Sequence, residues 1–163
     1  MSGENVRGRR RVAATATIGV AAAAVVVGGW TLVAGAASRD AANRWVLVAG
    51  AVLAYEVAFL AYPLAADGAS AFAPPNLGTL ARGGLYAATA GFLFVAPTPT
   101  IRWVPAACYG GGVVLDYVDG SLARRTGRTT ALGTKLDHAF DTLGFLVAPL
   151  VAVAWGHLPV AYL

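Results

Sequence analysis

The sequence predicts an all-α protein, a polytopic transmembrane helical bundle of about five spanning helices with one short interfacial amphipathic helix. Of its 163 residues, 58% are hydrophobic and only 12% are charged, whereas soluble domains carry about 25% charged residues. The mean hydropathy is +0.65, and several uncharged apolar runs are long enough to cross a bilayer. These runs lead us to expect a lipid bilayer as partner. Basic stripes interleaved with aromatic residues are absent from the sequence, so we expect no nucleic-acid partner.

Residues 1–66 are predicted to form a basic N-terminus and two spanning helices. The first apolar run, residues 12–37, exceeds the about 7–15 residues of a signal-peptide core, so we expect an uncleaved span. The second, residues 45–66, begins at Trp45, a residue type common at membrane interfaces. Glu56 lies in its middle, where a charge costs about 2.5–3.5 kcal/mol on insertion scales. Glu56 is therefore a functional candidate, but a neutral carboxyl group hydrogen-bonded to a neighbouring helix is the favoured interpretation.

Residues 67–163 are predicted to form the second part of the chain, which consists of a short amphipathic helix and three further spans. It begins with Gly, Ser and Pro residues that interrupt any helix. Asn76, Thr79 and Arg82 then recur at helical spacing, which predicts the short amphipathic helix. Three further spans are predicted over residues 83–96, 101–117 and 133–155.

The distribution of arginines predicts the topology of the chain. The N-terminus is basic, and Arg124, Arg125 and Arg128 follow the fourth predicted span. The positive-inside rule places both segments in the cytoplasm. The acidic residues on either side of this loop would then face the cytoplasm, at the inner surface of the cell membrane.

Four aspartates flank the loop between the fourth and fifth predicted spans. Asp116 and Asp119 are three positions apart, and Asp137 and Asp141 are four apart, so on helices each pair projects from one face. Four neighbouring carboxylates in a low-dielectric setting repel one another, and a divalent cation would remove that repulsion. Oxygen ligands alone favour Mg²⁺ or Mn²⁺. The isolated Cys108 indicates neither a disulfide nor a thiolate metal site.

The stretch from Asp116 to Asp141 resembles the signature of the CDP-alcohol phosphatidyltransferases, D-x2-D-G-x2-A-R-x8-G-x3-D-x3-D. Every fixed position is matched, by Asp116, Asp119, Gly120, Ala123, Arg124, Gly133, Asp137 and Asp141. The segment of Asn76, Thr79 and Arg82 also resembles the N-x2-T-x2-R sequence that precedes the first core helix of that family. The resemblance covers residues 76–155 and implies metal-dependent transfer of a phospho-alcohol group from a CDP-linked lipid to an alcohol acceptor, with release of CMP.

The resemblance also implies roles for individual residues. Asp116, Asp119, Asp137 and Asp141 would bind Mg²⁺ or Mn²⁺, and Asp141 could instead act as the catalytic base. The CDP moiety would contact a second group of residues, namely Gly120, Ala123, Arg124, Gly133, Asn76 and Thr79. The implied partners are the lipid bilayer, the CDP-lipid donor and a small alcohol acceptor.

The predicted position of the signature differs from the usual family pattern. Family cores usually have six spans with the signature on the second and third, whereas here it lies on predicted spans four and five. We therefore expect the last three core helices to be missing, and a homodimer or a partner subunit to supply them. A non-catalytic subunit or an inactive partial homologue is an alternative. An Asp-rich intramembrane prenyltransferase is another, but its N-D-x2-D-x3-D motif is not matched around Val118.

Overall fold

A computed structural model describes the backbone of residues 3–67, 74–126 and 131–163. Within these ranges it describes the side chains of residues 16, 17, 19–59, 78, 80–121, 138 and 140–163. The described residues form five α-helices and no strand, which confirms the all-α prediction. The helices are α1 (Gly3–Ala36), α2 (Arg39–Asp67), α3 (Pro74–Gly91), α4 (Val104–Thr126) and α5 (Ala131–Ala154), with 3₁₀ turns at Phe92–Phe94 and Val160–Tyr162.

Helix α3 is the centre of the bundle and contacts each of the other four helices. Its Tyr86 is 4% exposed and lies between Gly112 of α4 and Gly144 of α5. A Cβ atom at Gly112 would lie 2.5 Å from Tyr86 Cε1, and one at Gly144 would lie 2.8 Å from Cε2. The two glycines therefore provide the space for the ring, and α4 and α5 pack against α3 more extensively than against each other.

Trp45 of α2 joins the N-terminal helices to α3. Its side chain is 1% exposed, and its Nε1 donates a hydrogen bond of 3.1 Å to the carbonyl oxygen of Ala88. A Cβ atom at Gly29 would collide with its ring, and one at Gly91 would lie 2.5 Å from Nε1. Glycines on α1 and α3 thus leave room for the indole inside the bundle, and the interfacial position of Trp45 along the membrane normal stays a prediction.

A second tryptophan holds the end of α3. Trp155 Nε1 donates hydrogen bonds to the carbonyl oxygens of Phe92, at 3.1 Å, and Val95, at 2.8 Å. The Phe92 ring packs edge-on against both Trp45 and Trp155, with centroid distances of 6.1 Å and 5.9 Å. The Phe92 carbonyl oxygen accepts from Trp155 in addition to the backbone N–H of Val95, which lies at 3.2 Å, so the indole fixes the 3₁₀ turn that follows α3.

Two predicted boundaries are wrong. The segment of Asn76, Thr79 and Arg82 is not a separate amphipathic helix, because α3 continues through it from Pro74 to Gly91. Proline is accepted in the first turn of a helix. Gly83 and Gly84, which follow the polar segment, are accommodated within the helix, and Gly83 packs against Glu56 of α2. The loop between α1 and α2 is also shorter than predicted, since α2 already begins at Arg39. Ser38 Oγ accepts a hydrogen bond of 3.1 Å from the backbone N–H of Ala41, a typical N-cap.

Two segments of the described residues are long and apolar enough to cross a membrane, Gly19–Ala36 and Arg39–Phe59. Helix α5 contains a shorter apolar segment, Phe140–Ala154. Large apolar side chains such as Leu47 and Phe145 are 73% exposed, which suits contact with lipid. A bundle of five spans, and the division of the chain at residue 66, remain predictions.

Candidate functional site

The predicted site is built around a buried arginine of α3. The Arg82 side chain is only 1% exposed, and its Nη1 donates a hydrogen bond to Asp116 Oδ1 of α4. The same nitrogen lies 3.2 Å from Asp141 Oδ1 of α5. Burial of a charged group is unfavourable unless it is paired. Arg82 therefore brings the carboxylates of two helices to a single cationic atom.

Both carboxylates remain accessible to a ligand. The side chain of Asp116 is 50% exposed and that of Asp141 is 40% exposed. Arg82 lies behind them in the interior of the bundle, one turn before Tyr86 on α3. The site thus has an exposed acidic side and a buried basic side.

Asp119 lies one turn after Asp116 on α4 and packs against the first turns of α3. A Cβ atom at Gly78 would collide with the Asp119 carboxylate. Only a glycine therefore allows α3 to approach Asp119 this closely. The backbone of α3 forms the wall beside this carboxylate.

Several predicted site residues lie outside the described side chains, so the structure does not test their positions. They are Asn76, Thr79, Ala123, Arg124, Gly133 and Asp137. Gly120 is described, is half-buried and directly follows Asp119 on α4. The structure therefore brings Asp116 and Asp141 together and places Asp119 against α3.

The predicted metal site is only partly represented in the described part of the chain. Among those residues, no three His, Cys, Asp or Glu side chains form a group that could hold a metal ion, and Asp137 is not among them. The chemistry of the described donors nevertheless fits a hard cation. Asp116 and Asp141 already direct oxygen atoms from two helices at one positive charge, and carboxylate oxygens are the ligands that Mg²⁺ and Mn²⁺ prefer.

Arg82 is a functional candidate to which the sequence pattern assigned no site role. Its spacing from Asn76 and Thr79 indicated a polar helix face and the resemblance to the N-x2-T-x2-R sequence, but no contact for Arg82 itself. A possible signal was its place in a helix segment that is otherwise small and apolar, because a cation there needs an acidic partner. Nothing in that spacing indicated which acids would supply the pairing.

The sequence was compared with models of known protein families. A family model for CDP-alcohol phosphatidyltransferase matches residues 72–163, more than half of the chain. No match to a curated protein or to a solved structure was found. The matched region contains α3, α4 and α5, the three helices that meet at Arg82. Members of this family are membrane-associated phosphotransferases of phospholipid synthesis. This chain belongs to the CDP-alcohol phosphatidyltransferase family.

Proposed function

We propose that the protein transfers a phosphatidyl-type group from a CDP-linked lipid to a small alcohol and releases CMP, in a reaction that requires Mg²⁺ or Mn²⁺. The observation that carries this proposal is the convergence of Asp116 and Asp141 on one cationic nitrogen within the region matched by the family. Two helices there present accessible carboxylates at the same place.

The acidic residues would hold the metal. Asp116, Asp119 and Asp137 are the proposed ligands, and a dication bound there would neutralise charge on the pyrophosphate oxygens and on the departing nucleotide phosphate. Gly120, Ala123 and Gly133 would leave space for the cytidine. Arg124, Asn76 and Thr79 would contact the polar groups of the donor.

Arg82 is proposed as a positioning residue. Two carboxylates that approach each other repel and favour protonation of one of them. A guanidinium between them reduces that repulsion and is always charged. Arg82 would therefore hold Asp116 and Asp141 close together before the donor binds.

Asp141 is the proposed base. A new bond would form between the acceptor's hydroxyl oxygen and the lipid-side phosphorus of the donor. The bond from that phosphorus to the bridging oxygen would break, and CMP would leave with the electron pair. The hydroxyl proton would pass to the Asp141 carboxylate, which is 40% exposed and so can come within hydrogen-bond reach of an acceptor.

The membrane arrangement is part of the proposal. Arginines at the N-terminus and after Asp119 favour a cytoplasmic site, where a water-soluble acceptor would meet a lipid-linked donor. A second copy or another subunit would complete the acceptor side of the site.

The test is a measurement of CMP release from the purified full chain in lipid nanodiscs. CDP-linked diacyl and ether lipids would be supplied with glycerol phosphate, inositol phosphate or serine, and with Mg²⁺, Mn²⁺ or EDTA. We expect CMP only with a metal and a suitable acceptor. Asp119→Asn should abolish release, whereas Asp40→Asn, the same change in the exposed first turn of α2, should leave it unchanged.

Other products would contradict the proposal. Release of pyrophosphate from a prenyl pyrophosphate substrate would identify a prenyltransferase. Absence of CMP under all of these conditions, also after co-expression with neighbouring gene products, would indicate a non-catalytic membrane subunit.

A further inference from the structure

A cavity of about 190 Å³ lies between α4 and α5 and reaches Thr89 of α3. Its lining includes Arg102, just before the start of α4, and His157, just after the end of α5. Asp116 and Asp141 lie toward the other ends of these two helices, on the order of 20 Å away. The cavity is therefore at the opposite end of the bundle from the acidic site.

The interior of the cavity is apolar and open to the surroundings of the bundle. Ala106 of α4 and Ala148 and Val151 of α5 are among the side chains that line it. Ala106 is exposed, so the cavity opens at the protein surface. An apolar cavity of about 150 Å³ can hold one benzene molecule. This space is therefore large enough for a segment of one alkyl chain and too small for a whole lipid.

Two hydrogen-bond donors line the same cavity, one beside each helix. Arg102 and His157 are both exposed, and no acidic side chain is among the described residues that line the cavity. In the part of the chain that the structure describes, Arg102 forms no ion pair. Its guanidinium lies 5.9 Å from the centroid of the Trp103 ring, a contact that leaves N–H groups of the guanidinium available to an anion.

The charge and the apolar interior together indicate an anionic amphiphile. A guanidinium forms charge-assisted and often bidentate hydrogen bonds to phosphate, and a histidine ring can donate one more. Arg102 would repel a cationic amphiphile, and a neutral one would make no use of its charge. Basic residues at a gap between membrane helices are typical of sites for anionic lipid headgroups.

We propose that this cavity binds an anionic phospholipid, with its phosphate at Arg102 and His157 and the upper part of one alkyl chain between α4 and α5. These two helices pack against α3 more extensively than against each other, so the chain would fill space that side chains leave between them. The lipid would come from the leaflet on the side opposite the acidic site, and the proposal does not depend on the transfer reaction proposed above.

The test compares two lipids that have the same chains and differ in net charge. Native mass spectrometry of the purified full chain would measure binding of dioleoyl phosphatidylglycerol and of dioleoyl phosphatidylcholine. We expect phosphatidylglycerol to bind about ten-fold more tightly, the effect of one charge-assisted hydrogen bond, because the choline ammonium of the other lipid offsets its phosphate.

A matched pair of arginine variants locates the headgroup. Arg102→Gln should remove most of the preference for phosphatidylglycerol. Arg44→Gln is the control, because Arg44 is exposed near the start of α2 and does not line the cavity. It lies at the same end of the bundle, where Thr98 Oγ1 donates a hydrogen bond of 3.3 Å to the carbonyl oxygen of Ala36. Arg44→Gln should leave the preference unchanged.

A second pair of variants locates the alkyl chain. Ala148→Phe should fill the cavity and weaken binding of phosphatidylglycerol. Ala107→Phe, at an exposed residue of α4 that does not line the cavity, should leave binding unchanged. Circular dichroism would show that each variant is folded.

Three outcomes would overturn the proposal. Equal binding of the two lipids by the wild-type protein would show that the site does not select an anion. Equal losses in Arg102→Gln and Arg44→Gln would indicate a diffuse attraction to the basic surface. Binding that is unchanged by Ala148→Phe would place the lipid outside the cavity. The first two comparisons decide the matter even if Ala148→Phe fails to fold.

Discussion

The guanidinium of Arg82 lies 3.2 Å from the carboxylate of Asp141 while it also pairs with Asp116. One side chain of α3 thus contacts the acidic faces of both α4 and α5. The arrangement makes the acidic site depend on the position of α3, although the family signature itself lies on the other two helices. Stability and activity should therefore both respond to changes in α3.

Replacement of Arg82 by Met should weaken both the fold and the reaction. The change retains apolar volume but leaves Asp116 and Asp141 without their shared cation. Removal of one partner from a fully buried pair costs about 3–5 kcal/mol, and partial exposure of these carboxylates reduces this to about 1–3 kcal/mol. We expect this loss in unfolding followed by circular dichroism, with a fall in CMP release of about ten-fold or more.

The control for that experiment is Arg102→Met. Arg102 is exposed and its guanidinium lies 5.9 Å from the centroid of the Trp103 ring, so its loss should change stability by less than about 0.5 kcal/mol. Arg82→Lys should be intermediate, because an ammonium group lacks the planar fork of a guanidinium. Full activity of Arg82→Met would refute the positioning role.

Gly112→Ala should destabilise the bundle. Its new methyl group would lie 2.5 Å from the Tyr86 ring, and overpacking of this kind costs about 1–3 kcal/mol. Gly110→Ala on the same helix is the matched control, because nothing lies within 4 Å of its added methyl group. That control should stabilise the helix by about 0.5–1 kcal/mol. Thermal unfolding of the two variants would give opposite shifts, and equal shifts would contradict the described packing.

Gly78→Ala should affect the reaction more than the fold. The added methyl group would displace the Asp119 carboxylate, and a misplacement of about 1 Å can reduce turnover about 10²-fold. We expect a lower kcat/KM and a higher requirement for Mg²⁺ in the CMP-release assay. Gly50→Ala, where nothing lies within 4 Å, should behave like the wild-type protein. Normal metal dependence of Gly78→Ala would argue against Asp119 as a ligand.

Trp155→Phe should loosen the end of α3. The change removes the indole N–H that donates to Phe92 and Val95, and loss of such a bond costs about 1–3 kcal/mol when the acceptors remain buried. Hydrogen exchange at residues 92–95 should become faster. Trp103→Phe, at a tryptophan that is 70% exposed, should leave the exchange rates unchanged.

The sequence predicted the features that depend on composition and local spacing. Apolar runs gave the all-α class, and the spacing of Asp116 and Asp119 placed both acids on α4. The family assignment followed from the same residues and is confirmed by the family match. Asp137, which completes the predicted ligand set, lies outside the described side chains, so that part stays a prediction.

The features that the sequence did not predict arise from contacts between distant helices. The spacing of Arg82 from Thr79 is the same for an interfacial helix and for a buried one, and only the packing of α4 and α5 around α3 distinguishes them. The burial of Trp45 between helices was likewise not predicted. Its burial depends on Gly29 and Gly91, which are remote in sequence and have no periodic signal.

The ring of Tyr86 lies between Gly112 of α4 and Gly144 of α5, the two helices that carry Asp116 and Asp141. The width of this ring determines the distance between α4 and α5 at this level. Arg82, which pairs with carboxylates of both helices, lies one turn away on α3. A smaller or larger residue in place of Tyr86 would change the distance between the Asp116 and Asp141 carboxylates, although every residue of the signature would stay the same. Sequences that preserve every aspartate could therefore differ in the ion or donor they accept through this spacer alone.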